Sequence, residues 1–272
     1  MSKGKKMAAR RPIGIFDSGI GGLTVMREVC NVLPDEEIVY FGDTARVPYG
    51  TKSKETVTRF SKENIKFLLR FNVKLIVVAC NTASSLSLPA LARSFRVPIV
   101  GVIGPGVRKA LEGRKRGTVG VIGTRATVSS GAYESLLKKV DPSMKVISKA
   151  CPLFVPIVEE GWLDNAVTAD IIKEYLGEFK KRGADSLILG CTHYPLLKPA
   201  IKRYMGKGVE LIDSALETAK MVKEILRERG LISKKRRSPR HKYFVTDEPS
   251  AFKRVGEKFL GGRIGTIKKV RI

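Results

Sequence analysis

Two cysteines, Cys80 and Cys191, occupy matching positions, each directly after a short apolar run and before two polar residues. The first run, Leu75-Ile-Val-Val-Ala79, leads into Cys80-Asn-Thr82, and the second, Ser186-Leu-Ile-Leu-Gly190, leads into Cys191-Thr-His193. Ligands of open α/β sheets bind beyond the carboxyl ends of the strands. Both cysteines are therefore candidates for chemistry.

Two thiols that face one bound molecule from opposite sides suit the inversion of a stereocentre. Inversion through a carbanion needs a base on one face of the carbon and an acid on the other, and the two exchange roles in the reverse direction. A free cysteine has a pKa of roughly 8.5, so one thiol can serve as thiolate while the other keeps its proton. We predict that Cys80 and Cys191 form this pair.

Each thiol needs a neighbour that sets its protonation state. Asp17 follows the first apolar run of the chain and is predicted to serve Cys80, and His193 is predicted to serve Cys191. Polar side chains in the same strand-end segments are expected to hold the carboxylates and the ammonium group of a substrate, together with backbone N–H groups at helix N-termini: Ser18, Tyr49, Asn81, Thr82 and Thr192.

Other residues that often carry chemistry have structural explanations in this sequence. Cys30 and Cys151 lack the matching context, so we expect inert thiols. The four cysteines show no CxxC spacing and are accompanied by two histidines, which indicates neither a zinc site nor a disulfide framework. The second histidine, His241, lies in a basic run and is expected to be exposed. We expect no metal and no cofactor.

The glycine-rich segment Asp17-Ser-Gly-Ile-Gly-Gly22 does not predict a nucleotide site. The position of the third glycine in G-x-G-x-x-G is occupied by Thr24, and no Gly-Lys-Ser/Thr follows. These glycines are expected to permit a tight turn from strand to helix and a close approach of the backbone to a ligand.

Continuous apolar runs predict strands that are buried on both faces. They are residues 12–16, 37–41, 74–79, 97–102, 118–122, 145–148, 186–189, 209–212 and 243–246. Stretches of helical period separate several of them, with apolar faces within residues 23–33, 57–71, 171–179 and 221–226. The alternation predicts an α/β fold with parallel sheets.

The sequence contains an internal repeat, which predicts two similar domains. Besides the two cysteine segments, Ile13-Gly-Ile-Phe-Asp-Ser18 has a weaker counterpart in Val119-Gly-Val-Ile-Gly-Thr124. We expect two parallel-sheet α/β domains related by pseudo-symmetry, with the active site in the cleft between them. The Gly/Pro-rich segment 101–106 is the candidate linker.

Lys and Arg outnumber Asp and Glu by 51 to 26, which gives a formal net charge of +25. This charge can attract nucleic acid without sequence specificity, and a nucleic-acid-binding protein is the rival hypothesis from a different class. No apolar run is long enough to cross a bilayer, and residues 1–11 do not fit a signal peptide, so we expect a cytoplasmic protein that does not bind membranes, with a loose N-terminal tail.

Five motifs in order resemble the glutamate racemases of bacterial cell-wall synthesis, and the similarity runs from about residue 13 to residue 260. The motifs are Ile15–Thr24, Phe41–Gly50, Val78–Ala83, Val121–Thr124 and Leu189–Pro195. The resemblance implies interconversion of L- and D-glutamate without a cofactor, and a supply of D-glutamate for peptidoglycan. It also implies a homodimer.

The resemblance further implies roles for particular residues. Cys80 would take the proton from D-glutamate and Cys191 the proton from L-glutamate. A family glutamate that assists the second cysteine matches Glu159 or Glu160, and the sequence does not choose between them. The substrate-binding residues that match the family are Asp17, Ser18, Pro48, Tyr49, Gly50, Asn81, Thr82, Thr124, Thr192 and His193.

The family's C-terminal segment returns to its first domain. The resemblance therefore implies a discontinuous first domain, residues 1–100 with 213–272, which carries Cys80, and a second domain, residues 101–212, which carries Cys191. Racemases of the same type that act on aspartate or a hydantoin remain alternatives, because the sequence does not give the length of the pocket.

Overall fold

The computed structural model describes residues 3–112, 117–234 and 239–272, which form ten strands and twelve α-helices. The strands are β1 (Ile13–Asp17), β2 (Ile38–Gly42), β3 (Leu75–Val78), β4 (Ile99–Gly101), β5 (Thr118–Gly123), β6 (Lys145–Ala150), β7 (Ser186–Gly190), β8 (Glu210–Asp213), β9 (Lys242–Val245) and β10 (Ile267–Lys269).

The helices alternate with these strands along most of the chain. They are α1 (Lys3–Ala9), α2 (Leu23–Val32), α3 (Lys54–Leu69), α4 (Asn81–Ser94), α5 (Ile103–Leu111), α6 (Arg125–Ser129), α7 (Ala132–Val140), α8 (Phe154–Glu159), α9 (Ala166–Lys181), α10 (Lys198–Met205), α11 (Ser214–Glu228) and α12 (Pro249–Leu260). Short 3-10 helices cover Thr44–Arg46, Tyr49–Thr51 and Tyr194–Leu197. None of the described helices combines the length and apolar character needed to cross a membrane.

All strand pairs of both sheets are parallel, as the continuous apolar runs predict. The first sheet has the order β10-β9-β2-β1-β3-β4 and the second has the order β6-β5-β7-β8. The central strands β1, β2, β3 and β7 are buried along their whole length because helices cover both faces. The predicted α/β class with two parallel sheets is confirmed.

The two sheets share a topology that accounts for the internal resemblance of the sequence. Within β1–β4 and within β5–β8, the first strand pairs with the second on one side and with the third on the other, and the fourth lies beyond the third. β3 therefore corresponds to β7, and Cys80 and Cys191 each follow the corresponding strand. The two cysteine positions are equivalent in the repeat.

The chain enters the second sheet through α5 and returns to the first after α11. β9 pairs with β2, and β10 extends the same sheet at its edge. Residues 101–106, the candidate linker, are instead the end of β4 and the first turn of α5, where Pro105 is tolerated because early helical N–H groups have no intrahelical partner. The division at residues 100 and 213 stays a prediction.

The N-terminal segment is not a loose tail, because residues 3–9 form α1 and the backbone behind it is anchored. Lys74 Nζ, at the start of β3, forms a buried ion pair with Glu36 and donates to the carbonyl oxygens of Ala9 at 2.7 Å and Leu231 at 2.9 Å. The Ser233 N–H donates to the second oxygen of Glu36 at 2.8 Å. The Lys74–Glu36 ion pair thus ties the segment before β1, at Ala9, to the segment after α11, at Leu231 and Ser233.

His241 and Cys30 lie together at the side of the first sheet. Their Nε2 and Sγ atoms are 3.7 Å apart and both residues are half-buried, so the expectation that His241 is exposed is wrong. The reason is that Arg240 and Lys242 extend into solvent while the imidazole packs inward next to β9. Burial raises the pKa of Cys30 to about 11, which fits an inert thiol.

Replacing Lys74 with methionine is predicted to lower the free energy of unfolding by about 3–5 kcal/mol, because the Glu36 carboxylate would be left buried without its partner. Lys66→Met, at an exposed position near the end of α3, is the control and is expected to change it by no more than about 0.5 kcal/mol. Urea unfolding followed by circular dichroism measures both. Equal losses in the two variants would contradict the anchoring role.

Candidate active site

A cavity of about 350 Å³ opens between the carboxyl-terminal edges of the two sheets. Every residue predicted from the sequence to form the site lines it, except Asp17, which lies behind Ser18 and is 1% exposed. The first sheet contributes Ser18, Pro48, Tyr49, Gly50, Cys80, Asn81 and Thr82, and the second contributes Thr124, Cys191, Thr192 and His193. The geometry therefore brings the two cysteines to one cavity from separate sheets.

Cys80 lies at the N-cap of α4, and its environment favours the protonated thiol. Burial raises the pKa of Cys80 to about 12, and the negative charge of Asp17 adds to the effect. The Ala83 N–H and the Ser18 hydroxyl hydrogen-bond to the sulfur and oppose the increase in pKa. At neutral pH this sulfur carries its proton and can act as an acid.

Asp17 ends β1 and presents one carboxylate oxygen with no protein partner. Its Oδ2 accepts the Gly19 N–H at 3.0 Å, while its buried Oδ1 has no hydrogen-bond partner among the described residues. Burial raises the pKa of Asp17, and the Gly19 N–H and the charge of His193 oppose that change. An unpaired buried acceptor beside a cavity is suited to a cationic or donating ligand group.

Cys191 has the opposite electrostatic environment, because a histidine–glutamate pair stands next to it. Cys191 Sγ lies 3.8 Å from His193 Nδ1, and His193 Nε2 lies 2.8 Å from Glu159 Oε1. Burial alone would lower the pKa of His193, but its hydrogen bonds to Cys191 and Glu159 and their negative charges raise it to about 10. His193 therefore carries a positive charge at neutral pH, and this charge faces the sulfur of Cys191.

Of the two glutamates that the sequence left open, Glu159 makes this contact. It ends α8 and lines the cavity, while Glu160 is the following cap residue. The ring of His193 also meets the ring of Phe259 edge to face, with centroids 5.1 Å apart, so α12 fixes the imidazole from the side of the first sheet. Phe259 has no motif that would reveal this from sequence.

Gly21 is required by a close approach between the two sheets. A Cβ atom there would lie 2.2 Å from Thr192 Oγ1 and 2.6 Å from the His193 ring. Thr24 Oγ1 also donates across the cleft to the Thr192 carbonyl oxygen at 2.9 Å. The glycine-rich turn after β1 therefore makes room for the segment that carries Cys191 and His193.

Threonine hydroxyls close the opposite side of the cavity. Thr82 Oγ1 lies 2.9 Å from Thr124 Oγ1 and 3.3 Å from Thr127 Oγ1, which joins the start of α4 to the start of α6. Tyr49 lines the cavity, but its hydroxyl donates to Asp43 and accepts from Asn64 Nδ2 at 3.2 Å. This hydroxyl makes both of these bonds within the first sheet, and the assignment of Tyr49 to ligand binding stays a prediction.

Tyr133 is a buried residue of the site that the sequence analysis missed. Its hydroxyl donates to Asn81 Oδ1 at 2.7 Å, and Ser214 hydrogen-bonds to the phenol oxygen. Asn81 Nδ2 is consequently left as a buried donor without a partner among the described residues. Tyr133 comes from α7 and Ser214 from α11, and both lie outside the five motifs, so no spacing signal could have revealed them.

No group of three metal-ligating side chains is close enough to hold a metal ion within the described residues. The expected absence of a metal and a cofactor stays a prediction. Two buried groups have no partner among the described residues: Asn81 Nδ2, a donor on a residue that lines the cavity, and Asp17 Oδ1, an acceptor on the residue before Ser18.

Comparison with known proteins agrees with this geometry. Residues 18–222 match the family model described as Asp/Glu/Hydantoin racemase. A glutamate racemase of Geobacter metallireducens is 52% identical over 262 residues, which cover 96% of this chain and 97% of that protein.

Solved structures of the same kind superpose over nearly the whole chain. The glutamate racemase of Francisella tularensis, crystallised in complex with D-glutamate, is 40% identical with a TM-score of 0.90 and coverage of 97% of this chain and 98% of that one. A glutamate racemase isoform of Bacillus anthracis is 42% identical with a TM-score of 0.93 at the same coverage. A Pyrococcus horikoshii aspartate racemase homologue is 21% identical, with a TM-score of 0.59, and shares the fold alone.

The pKa of His193 is predicted to fall by about one pH unit or more in Glu159→Gln, because the variant removes the hydrogen bond to a carboxylate and its charge. In the wild type the imidazolium should lose its proton as the pH rises through about 10. NMR titration of labelled histidine measures this, and the chain has two histidines to assign.

The matched control is Glu160→Gln, one residue further along the chain. It removes the same charge without removing the contact with His193. An unchanged pKa of His193 in Glu159→Gln, or an equal fall in both variants, would contradict the assigned hydrogen bond.

Proposed function

The chain belongs to the glutamate racemases of the Asp/Glu/hydantoin racemase family and is an isomerase, and we propose that Cys80 and Cys191 invert the α-carbon of glutamate from its two sides. The observation that carries the proposal is the pair of buried sulfurs that line one cavity from different sheets, with opposite electrostatic partners. No cofactor enters the reaction.

The two sulfurs begin in different protonation states, which sets the direction of the first step. Cys191, beside the His193 imidazolium, acts as thiolate and removes the α-proton of L-glutamate. The Cys80 thiol then donates its proton to the opposite face of the carbanion, and D-glutamate forms. This leaves a thiol at Cys191 and a thiolate at Cys80, the state that removes the proton of D-glutamate in the reverse reaction.

The negative charge that develops during proton removal is met by helix N-termini. α4 begins at Asn81 and α6 begins at Arg125, and both starts lie at the cavity. Aligned peptide dipoles and unsatisfied N–H groups stabilise negative charge at a helix N-terminus. We assign the substrate's α-carboxylate, on which the carbanion charge spreads, to the start of α4.

The unpaired buried groups supply the remaining recognition. Asn81 Nδ2, held as a donor by the Tyr133 hydroxyl, binds a carboxylate oxygen, and the buried Asp17 carboxylate attracts the ammonium group by its charge. The Ser18, Thr82, Thr124 and Thr192 hydroxyls and the backbone around Tyr49 and Gly50 bind the rest of the molecule. When the substrate forms a hydrogen bond with one of these groups, it removes the free-energy cost of leaving that group buried without a partner.

The D-glutamate formed would supply peptidoglycan synthesis, which is the role that the sequence resemblance implies. Homodimer formation is part of the same proposal. Aspartate and hydantoin remain the nearest alternative substrates, and the high identity to glutamate racemases over whole chains favours glutamate.

In deuterium oxide the wild type is predicted to exchange the α-proton of glutamate while its circular dichroism signal decays. Cys80→Ser and Cys191→Ser should each lose racemisation by roughly 10²–10⁴-fold, because a serine hydroxyl is too weak an acid or base at neutral pH. Proton NMR follows the exchange, with aspartate assayed in parallel.

Cys30→Ser is the matched control, since it removes a half-buried thiol outside the cavity. Its activity should equal that of the wild type. Full activity in both cavity variants would refute the two-thiol mechanism, and faster turnover of aspartate would refute the substrate.

A further inference from the structure

The amino-terminal edge of the first sheet, opposite the cavity, collects the basic segments that the reaction does not use. In parallel sheets the strand starts and the ends of the preceding helices meet at one edge, while the cavity lies at the other edge. Exposed basic side chains stand before β1 and at the ends of α3 and α4: Arg10, Arg11, Lys66, Arg70, Arg93 and Arg96.

The return of the chain after α11 brings a second group to the same edge. Lys74 and Glu36, which lie before β3 and β2, hold the backbone of Leu231 and Ser233 there. The exposed residues of this group are Arg227, Arg229, Lys234, Arg240 and Lys242. Residues 235–238 of the basic run lie outside the described residues. We call the two groups together the basic edge.

The basic edge carries few negative charges. Asp35, Glu37 and Glu228 are the acidic residues exposed or half-exposed among the same strand starts and helix ends. Arg93, Arg96, Arg227 and Arg229 form no ion pair within the described parts of the chain. Unneutralised charges of one sign on one face create a strong local potential.

We propose that the basic edge is a second binding site, which holds the phosphate backbone of duplex nucleic acid. Eight of its eleven basic residues are arginines, whose planar guanidinium groups bind phosphate oxygens in a bidentate manner. From β9 to β4 the edge spans about 20 Å, counting strands spaced at about 4.8 Å. A duplex crossing it presents on the order of ten phosphates over that length.

The side chains of the basic edge favour a duplex over a lipid surface or a single strand. Attachment to a membrane needs an apolar face that inserts, and the large exposed apolar residues near these arginines are two separate side chains, Met7 in α1 at 67% exposure and Leu69 at the end of α3 at 37%. Single-strand binding needs exposed aromatic rings for stacking, and Trp162, the largely exposed aromatic residue of the described chain, belongs to the loop after α8. The arginines are therefore expected to contact the phosphates of a duplex, and such contacts carry no sequence specificity.

Two variants of equal net charge test the location of this site. The edge variant is Arg93→Gln, Arg96→Gln, Arg227→Gln and Arg229→Gln, and the control variant is Lys139→Gln, Lys145→Gln, Lys173→Gln and Lys181→Gln on the second domain, all at exposed positions. Binding of a fluorescent 20-base-pair DNA duplex to the full chain is measured by anisotropy from 50 to 200 mM salt, beside vesicles containing anionic lipid.

The edge variant is expected to bind the duplex at least tenfold more weakly than the control variant. Its slope of log affinity against log salt should become shallower by about 0.9 for each phosphate that the variant no longer neutralises. Glutamate racemisation should be unchanged in both variants, since none of these residues lines the cavity.

Equal weakening in both variants would overturn the proposal, because binding would then follow net charge and not position. No measurable duplex binding by the wild type at 150 mM salt, or tighter binding to vesicles than to the duplex, would also overturn it. Loss of racemisation in the wild type would bear on the proposed reaction and leave the result at the basic edge unaffected.

Discussion

The proposed reaction depends on two chemically identical side chains that line one cavity in different electrostatic environments. Burial and the charge of Asp17 raise the pKa of Cys80, while Cys191 lies beside His193, whose pKa is raised by its hydrogen bonds to Cys191 and Glu159. A symmetric pair would leave both sulfurs protonated, or both repelling each other as anions. The internal repeat supplies two equivalent strand ends, and the sequence differences at those ends, Asp17 on one side and His193 with Glu159 on the other, supply the asymmetry that inversion of a carbon requires.

The two sulfurs stay on opposite sides of the cavity only if the distance between the two sheets is fixed. Short contacts across the cleft fix this distance. Gly21 permits the Thr192–His193 segment to approach the turn after β1, and Thr82 meets Thr124 on the other side of the cavity. Tyr133 spans the two halves as well, since it reaches from α7 to Asn81 at the start of α4. Gly21 belongs to a glycine-rich turn of the kind associated with nucleotide sites. Here glycine is needed because Thr192 and His193 occupy the space that a side chain would fill.

Much of this organisation could be predicted from sequence, because buried parallel strands and strand-end cysteines leave strong local signals. All nine predicted strands are present, and β10 was missed because three residues with two exposed lysines have no apolar pattern. α4 was missed because its serines and Pro89 weaken the helical period, although it positions Cys80. The choice of Glu159 over Glu160 and the part played by Tyr133 and Phe259 depend on tertiary packing between distant segments. The hydrogen bonds of the Tyr49 hydroxyl also depend on packing, because Asp43 of the same motif and Asn64 of α3 both reach it.

The first sheet has two edges with different chemistry. The cavity with Cys80 and Cys191 lies at its carboxyl-terminal edge, and arginines accumulate at its amino-terminal edge. At the cavity edge the proposed reaction depends on geometry. A crystal structure of the wild-type protein with glutamate bound tests it most directly. We expect the sulfurs of Cys80 and Cys191 on opposite faces of the α-carbon, each close to the reacting distance of about 3–3.5 Å. Two sulfurs on the same face, or one of them out of contact with the substrate, would contradict it.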